Sequence, residues 1–242
     1  MSARKFRGLV CVYCSVRQAV TGDHIFARQF FVPSARANLP QVPTCDHCNN
    51  QKSRLEHYLT AVLPFGGRHP DATENLSKLV PPRLAENARL HRELEAKRGT
   101  VWSLEDGLVR QATTIPIEPE RILELFQYVA RALVWFHWKV YFGSEHDSEV
   151  LMLTRYGKAY FDRLFAMRAA QRITHSVGNK TFEYAGVQGV DIPQISVWRF
   201  RMYGGMVFAG DPAVPNEVSN EIGVLTGPKR ITGILSKEAA HQ

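Results

Sequence analysis

Apolar residues recur at helical spacing most clearly after Pro119, where Ile122, Leu125, Phe126, Val129, Leu133, Phe136 and Val140 fall every three or four positions. Pro119 is well placed to open that helix, because a first-turn residue needs no N–H partner. The pattern predicts a long apolar helix inside a core, with Trp135, His137 and Trp138 as packing residues. Residues 155–172 suggest another helix. Residues 83–98 carry only a thin stripe of Leu84, Ala88 and Leu94 among charges, which reads as a helix with a solvated face. Strand-like patterning surrounds Val101, Trp102 and Val109 and returns from Lys180 to Phe208. There SVWRFRMY, the pair Gly204-Gly205 and MVFAG predict a β-hairpin closed by a glycine turn.

Breaks in the pattern suggest how the chain is divided. Gly66-Gly67-Arg68-His69-Pro70 and then Pro81-Pro82 interrupt both periodicities. The expected division is a compact module over 1–65, a connector with the charged helix over 66–99, and an accessory α+β domain over 100–242. With 242 residues, 45% of them hydrophobic, the chain can bury a real core. The most apolar run, Ala132 to Trp138, is far short of the roughly 20 residues that span a bilayer. The basic start lacks the apolar stretch of a signal peptide. These features predict a soluble, cytoplasmic protein with no membrane partner.

Charge is unevenly spread. Residues 1–60 hold eight Lys or Arg against three acids, so +5 of the net +7 lies in the first quarter. Such an excess fits a polyanionic partner, nucleic acid being the commonest, or simply a basic solvated surface.

All four cysteines lie in that quarter, as two C-x2-C pairs, Cys11/Cys14 and Cys45/Cys48, with thirty residues between. Two thiolates three apart can bite one tetrahedral zinc, and two such knuckles close a four-sulfur shell. A closed shell leaves no open position, so this Zn2+ is expected to be structural. It would clamp the thirty-residue excursion at its base. Metal binding then supplies much of the folding free energy of a small module.

Inside that excursion stand Asp23-His24-Ile25 and Asn38-Leu39, and directly after Cys48 come Asn49 and, three residues on, Lys52. This order over about residues 8–60 resembles the HNH endonuclease family. The resemblance implies that the N-terminal module is a zinc-stapled ββα-metal fold; together with the C-terminal α+β domain that the patterning predicts, carrying the long apolar helix and the β-hairpin, the chain is expected to be α+β. It implies phosphodiester hydrolysis in DNA. His24 would be the general base, and Asp23 and Asn49 would hold one catalytic Mg2+ or Mn2+. Asn38 would orient His24 or pin the loop. Lys52, on a presumed helix over Asn50–Val62, would meet a phosphate, with Arg54 and Arg28 as further nucleic-acid contacts. His57 stands some 12 Å along that helix from Asn49, at 1.5 Å per residue, and is left out of the metal set. A free-standing nuclease of this kind would suit restriction or phage defence, with residues 100–242 offering a dimer or regulatory surface. The alternative is a non-catalytic zinc-ribbon protein that holds nucleic acid without cutting it.

Overall fold

The computed structural model describes residues 5–105, 108–115, 117–206, 208, 219–230 and 232. After the first cysteine pair, β1 (Thr21–His24) runs antiparallel to β2 (Gln41–Thr44), with Asp23 opposite Val42 and His24 opposite Gln41. The excursion between them folds into two 3-10 turns, Arg28–Phe30 and Pro33–Ala35. Helix α1 then spans Asp46–Val62, beginning four residues earlier than Asn50 because Asn49 N–H already donates to the Cys45 carbonyl (3.0 Å). The second knuckle is therefore the first turn of α1, and Asn49 lies inside the helix.

Most of residues 63–96 is helical, including the stretch expected as a connector ahead of the charged helix. A 3-10 turn at Leu63–Gly66 leads into α2 (Pro70–Glu74), a π turn at Asn75–Leu79, α3 (Val80–Glu86) and α4 (Ala88–Ala96). The single charged helix expected over 83–98 is thus two. Asn87 leaves helical geometry between them, and its side chain accepts from Leu90 N–H (3.1 Å), capping α4. Strands β3 (Gly99–Glu105) and β4 (Leu108–Thr114) form a separate hairpin.

Helix α5 (Pro119–Trp138) buries Ile122, Leu125, Phe126, Val129 and Leu133, as their spacing requires. It is amphipathic rather than apolar throughout: Glu124 is exposed, and Arg121, Gln127 and Arg131 are only partly covered. Lys139, at φ +58°, ends it in a left-handed turn, so Val140 falls outside. The rest is β5 (His146–Met152), α6 (Arg155–Ala166), β6 (Gln171–Val177), β7 (Phe182–Gln188), β8 (Ser196–Met202) and β9 (Ile222–Pro228). The five strands make one antiparallel sheet in the order β5-β9-β8-β7-β6. The chain is α+β.

The second strand of the hairpin expected around Gly204-Gly205, MVFAG, lies partly outside the described residues, and among those described no strand pairs with β8 across that turn. β8 is a central strand whose two edges are taken by β7 and β9. A turn at Tyr203–Gly205, all at positive φ, leads the chain away, and Phe208 bridges Ser219 instead. The glycine signal marks a real turn, but both edges of the strand before it were already paired.

The expected boundaries at 65/66 and 99/100 are not boundaries of packing either. On one face of the sheet Phe126 of α5 meets Phe200 (4.9 Å between centroids) and Trp138 meets Trp198 (4.9 Å). On the same face Phe26, Phe30 and Phe31, from the excursion between the cysteine pairs, surround Phe182 at 4.7, 5.2 and 5.5 Å. Tyr203 donates to the Phe30 carbonyl (2.6 Å), and Asn75 donates to it as well (2.9 Å). One core therefore joins the N-terminal segment to the sheet. A smaller cluster on the other face holds Phe161 of α6 against Leu153, Val187, Val197 and Leu225.

Candidate active site

The first cysteine pair sits on a tight turn, closed by Ser15 N–H donating to the Cys11 carbonyl (2.8 Å) with Ser15 at φ +54°. The second pair opens α1. Their four sulfurs lie within 4.8 Å of one another. A tetrahedron with Zn–S bonds of about 2.3 Å has edges of about 3.8 Å, so a small contraction would seat a metal ion such as zinc. Cys11, Cys45 and Cys48 are buried and Cys14 is half-buried. This donor set fits a closed, structural site.

The cluster fixes the N-terminus of α1 beside β1, and Lys52 marks their contact. Its side chain is 1% exposed. Its Nζ donates to the His24 carbonyl (2.8 Å), lies 3.0 Å from Asp23 Oδ2, and also pairs with Glu56 one turn along α1. Burial alone would push the ammonium down, but the Asp23 and Glu56 carboxylates outweigh it and hold Lys52 above its usual value. Burial pushes the Glu56 carboxyl up; Lys52 pulls it down and Asp23 adds to the rise. Tyr13, between the first two cysteines, donates its hydroxyl to the same Asp23 oxygen (2.6 Å). Burial and then the Asp23 charge raise the phenol well above its ordinary value.

Two expectations change here. Lys52 does not face a phosphate: it is buried, and its charge is spent on two carboxylates and a backbone carbonyl. Asp23 is not a free carboxylate waiting for a cation, because Oδ2 is shared between Lys52 and Tyr13. Its Oδ1 makes no hydrogen bond among the described residues.

His24 follows Asp23 on β1 and is half-buried. Burial lowers its imidazole from the ordinary value; Asp23 pulls it up, while Arg28 and Lys52 push it down. Its Nε2 lies 3.0 Å from the amide nitrogen of Gln41, the residue opposite it on β2, and that NH2 donates to the ring. Asn38 does not take that place. It is exposed at φ +56°, where an asparagine shapes the turn before β2, and among the described residues no hydrogen bond joins it to His24. Asn49 is half-buried on α1, one turn before Lys52 and so on the side of the helix that meets β1.

Arg28 and Arg54 are exposed. Arg28 is close enough to depress both His24 and Arg36. Arg54 lines a groove of about 240 Å³ with His57, Arg89 and Arg121. A second cleft, of about 380 Å³, opens beside the Lys52 network and is lined by Gln29, Ser53, Glu56, His57, Arg83 and Glu86. Tyr13, Gln41 and Glu56 are the members that sequence reasoning missed. Glu56 alone carried a usable signal, four residues after Lys52 on a helix.

No protein-family model, no curated protein and no solved structure matches this chain.

Proposed function

We propose that the chain is a metal-dependent nuclease of the HNH type, hydrolysing phosphodiester bonds in DNA. The observation that carries this reading is His24. It is a half-buried imidazole on a hairpin held to α1 by a four-cysteine cluster and by Lys52, and its Nε2 meets the Gln41 amide 3.0 Å away. A neutral imidazole can take the proton of a water as that water attacks phosphorus. The leaving 3′-oxygen gathers negative charge as the bond breaks. A divalent cation, Mg2+ or Mn2+, would stabilise it. Asp23 through Oδ1 and Asn49 through its amide oxygen are the residues that would hold the cation, oxygen donors suited to a hard ion. Arg28 would attract the phosphate, and the cleft of about 380 Å³ beside Glu56 is where a neighbouring nucleotide would lie.

A second reading has its own support. Lys52 neutralises part of the Asp23 charge, which weakens any cation site there. A zinc-stapled protein that binds nucleic acid without cutting it would show the same pairing.

Plasmid DNA incubated with the protein in Mg2+, Mn2+ or EDTA, beside a His24→Ala variant that keeps its zinc, separates the two. The nuclease reading expects nicking that needs the divalent ion and drops about 100- to 10,000-fold in the variant. Binding without cleavage by zinc-loaded wild type under every ion supports the second reading. Cleavage that survives His24→Ala refutes the assigned base.

A further inference from the structure

We infer that Gln41 is the positioning residue for His24, setting which ring nitrogen carries the proton; this rests on the nuclease reading above. The contact is built into the fold. His24 and Gln41 are direct partners in the β1–β2 register, and their side chains meet at 3.0 Å. The hairpin that carries them is clamped by the cysteine cluster at its Thr44 end and by the Lys52 bond to the His24 carbonyl at the other.

The consequence follows from the chemistry of the two groups. A neutral imidazole has one N–H and one lone pair. In the arrangement the structure holds, the Gln41 NH2 donates to Nε2, so the proton must sit on Nδ1 and both nitrogens are occupied: such a ring cannot accept a proton. If the amide turns over and its Oε1 accepts from Nε2–H, the lone pair lies on Nδ1, free to take a proton from water. A half-turn of the amide exchanges the two states with little change in shape. Only the second is competent for general-base catalysis. Once its amide is turned to accept, opposite to the orientation in the structure, Gln41 would do what the resemblance had assigned to Asn38.

The experiment compares zinc-loaded wild type with Gln41→Leu, Gln41→Glu and Gln41→Lys. The His24 signal in a 15N-imidazole NMR spectrum is identified by its loss in His24→Ala. Wild type is expected to show unprotonated Nδ1 and protonated Nε2. Gln41→Leu, of similar size, loses this preference and lowers kcat about tenfold or more with KM little changed. Gln41→Glu, which can only accept, restores both the tautomer and kcat. Gln41→Lys, which can only donate, does not. A wild-type spectrum with the proton on Nδ1, or a Gln41→Leu variant with unaltered tautomer and kcat, overturns the assignment. A wild type that does not cut DNA overturns the nuclease reading instead, and the tautomer comparison still decides whether Gln41 sets the ring.

Discussion

Replacing Lys52 by methionine tests the centre of this structure. The substitution keeps most of the volume and removes the ammonium. Two carboxylates then remain on nearly covered ground, Asp23 at 12% and Glu56 at 14% side-chain exposure. Removing one partner of a buried ion pair costs about 3–5 kcal/mol, because the other charge is stranded. The lost bond to the His24 carbonyl adds roughly 1 kcal/mol. Against this, Glu56 is already pushed up by burial and can take a proton, which limits the penalty. The expected net loss is about 3–4 kcal/mol. For a chain of this size that is roughly 6–16 °C in Tm, at about 2–4 °C per kcal/mol. Urea unfolding of zinc-loaded Lys52→Met, followed by circular dichroism, measures it. Adding Glu56→Gln should recover part of the loss, since it removes one stranded charge. A Lys52→Met protein within about 1 kcal/mol of wild type, but weaker on DNA, would refute the buried network. It would restore Lys52 as the phosphate contact that its place in the HNH-like pattern suggests.

Other measurements probe separate parts of the fold. Chelating the metal, or replacing Cys45 by serine, should lower the melting temperature of the whole chain in one transition, because Phe26, Phe30 and Phe31 share a core with the sheet; a tryptophan signal that survives would show independent domains. Burial, helped by His175 and Lys139, lowers His137 from 6.5 to about 4. Below pH 6.5 the unfolded chain therefore binds a proton that the folded one refuses, and stability falls until about pH 4. The full shift would be worth about 3.4 kcal/mol; because His137 is only half-buried, about 1–2 kcal/mol is expected. Urea unfolding at pH 7 and 4.5 should show wild type losing that much more than His137→Phe, and equal losses would refute it. Gly178→Ala should cost about 2–4 kcal/mol in the same assay, since φ is +60° and the new Cβ would lie 2.0 Å from the Phe31 ring; a neutral result would mean that the excursion and the sheet are not in contact there.

What was legible in the chain was local. Two cysteines three apart must form a knuckle, so the four-thiolate cluster could be read without the fold. The periodicity after Pro119 located α5, because the buried residues of a helix repeat every three or four positions whatever covers them. The turn at Gly204-Gly205 was also visible. Its consequence was not, since which strands flank β8 depends on β9, some twenty residues further along. Asn87 ends α3 with an ordinary capping residue that the charged pattern around it obscured.

The candidate site shows the same limit more sharply. Spacing alone places Asn49, Lys52, Ser53 and Glu56 on neighbouring positions of one helix. Whether that face meets solvent, DNA or protein is decided by what packs on it. Here β1 does, so a lysine that looked like a phosphate contact became the buried tie between hairpin and helix. Gln41 could not be found before the register of β1 against β2 was known, because a slip of one residue would turn it to the other face. The excursion is fixed at both ends: at its base by the cysteines, and at its far end by three phenylalanines around Phe182. A catalytic histidine needs such double anchorage, since misplacement by an ångström can cost two orders of magnitude in rate. On the proposed nuclease reading, the sheet is then part of what holds His24 in place. Shaving Phe182 to alanine should lower stability and, if the chain cuts DNA as proposed, kcat as well.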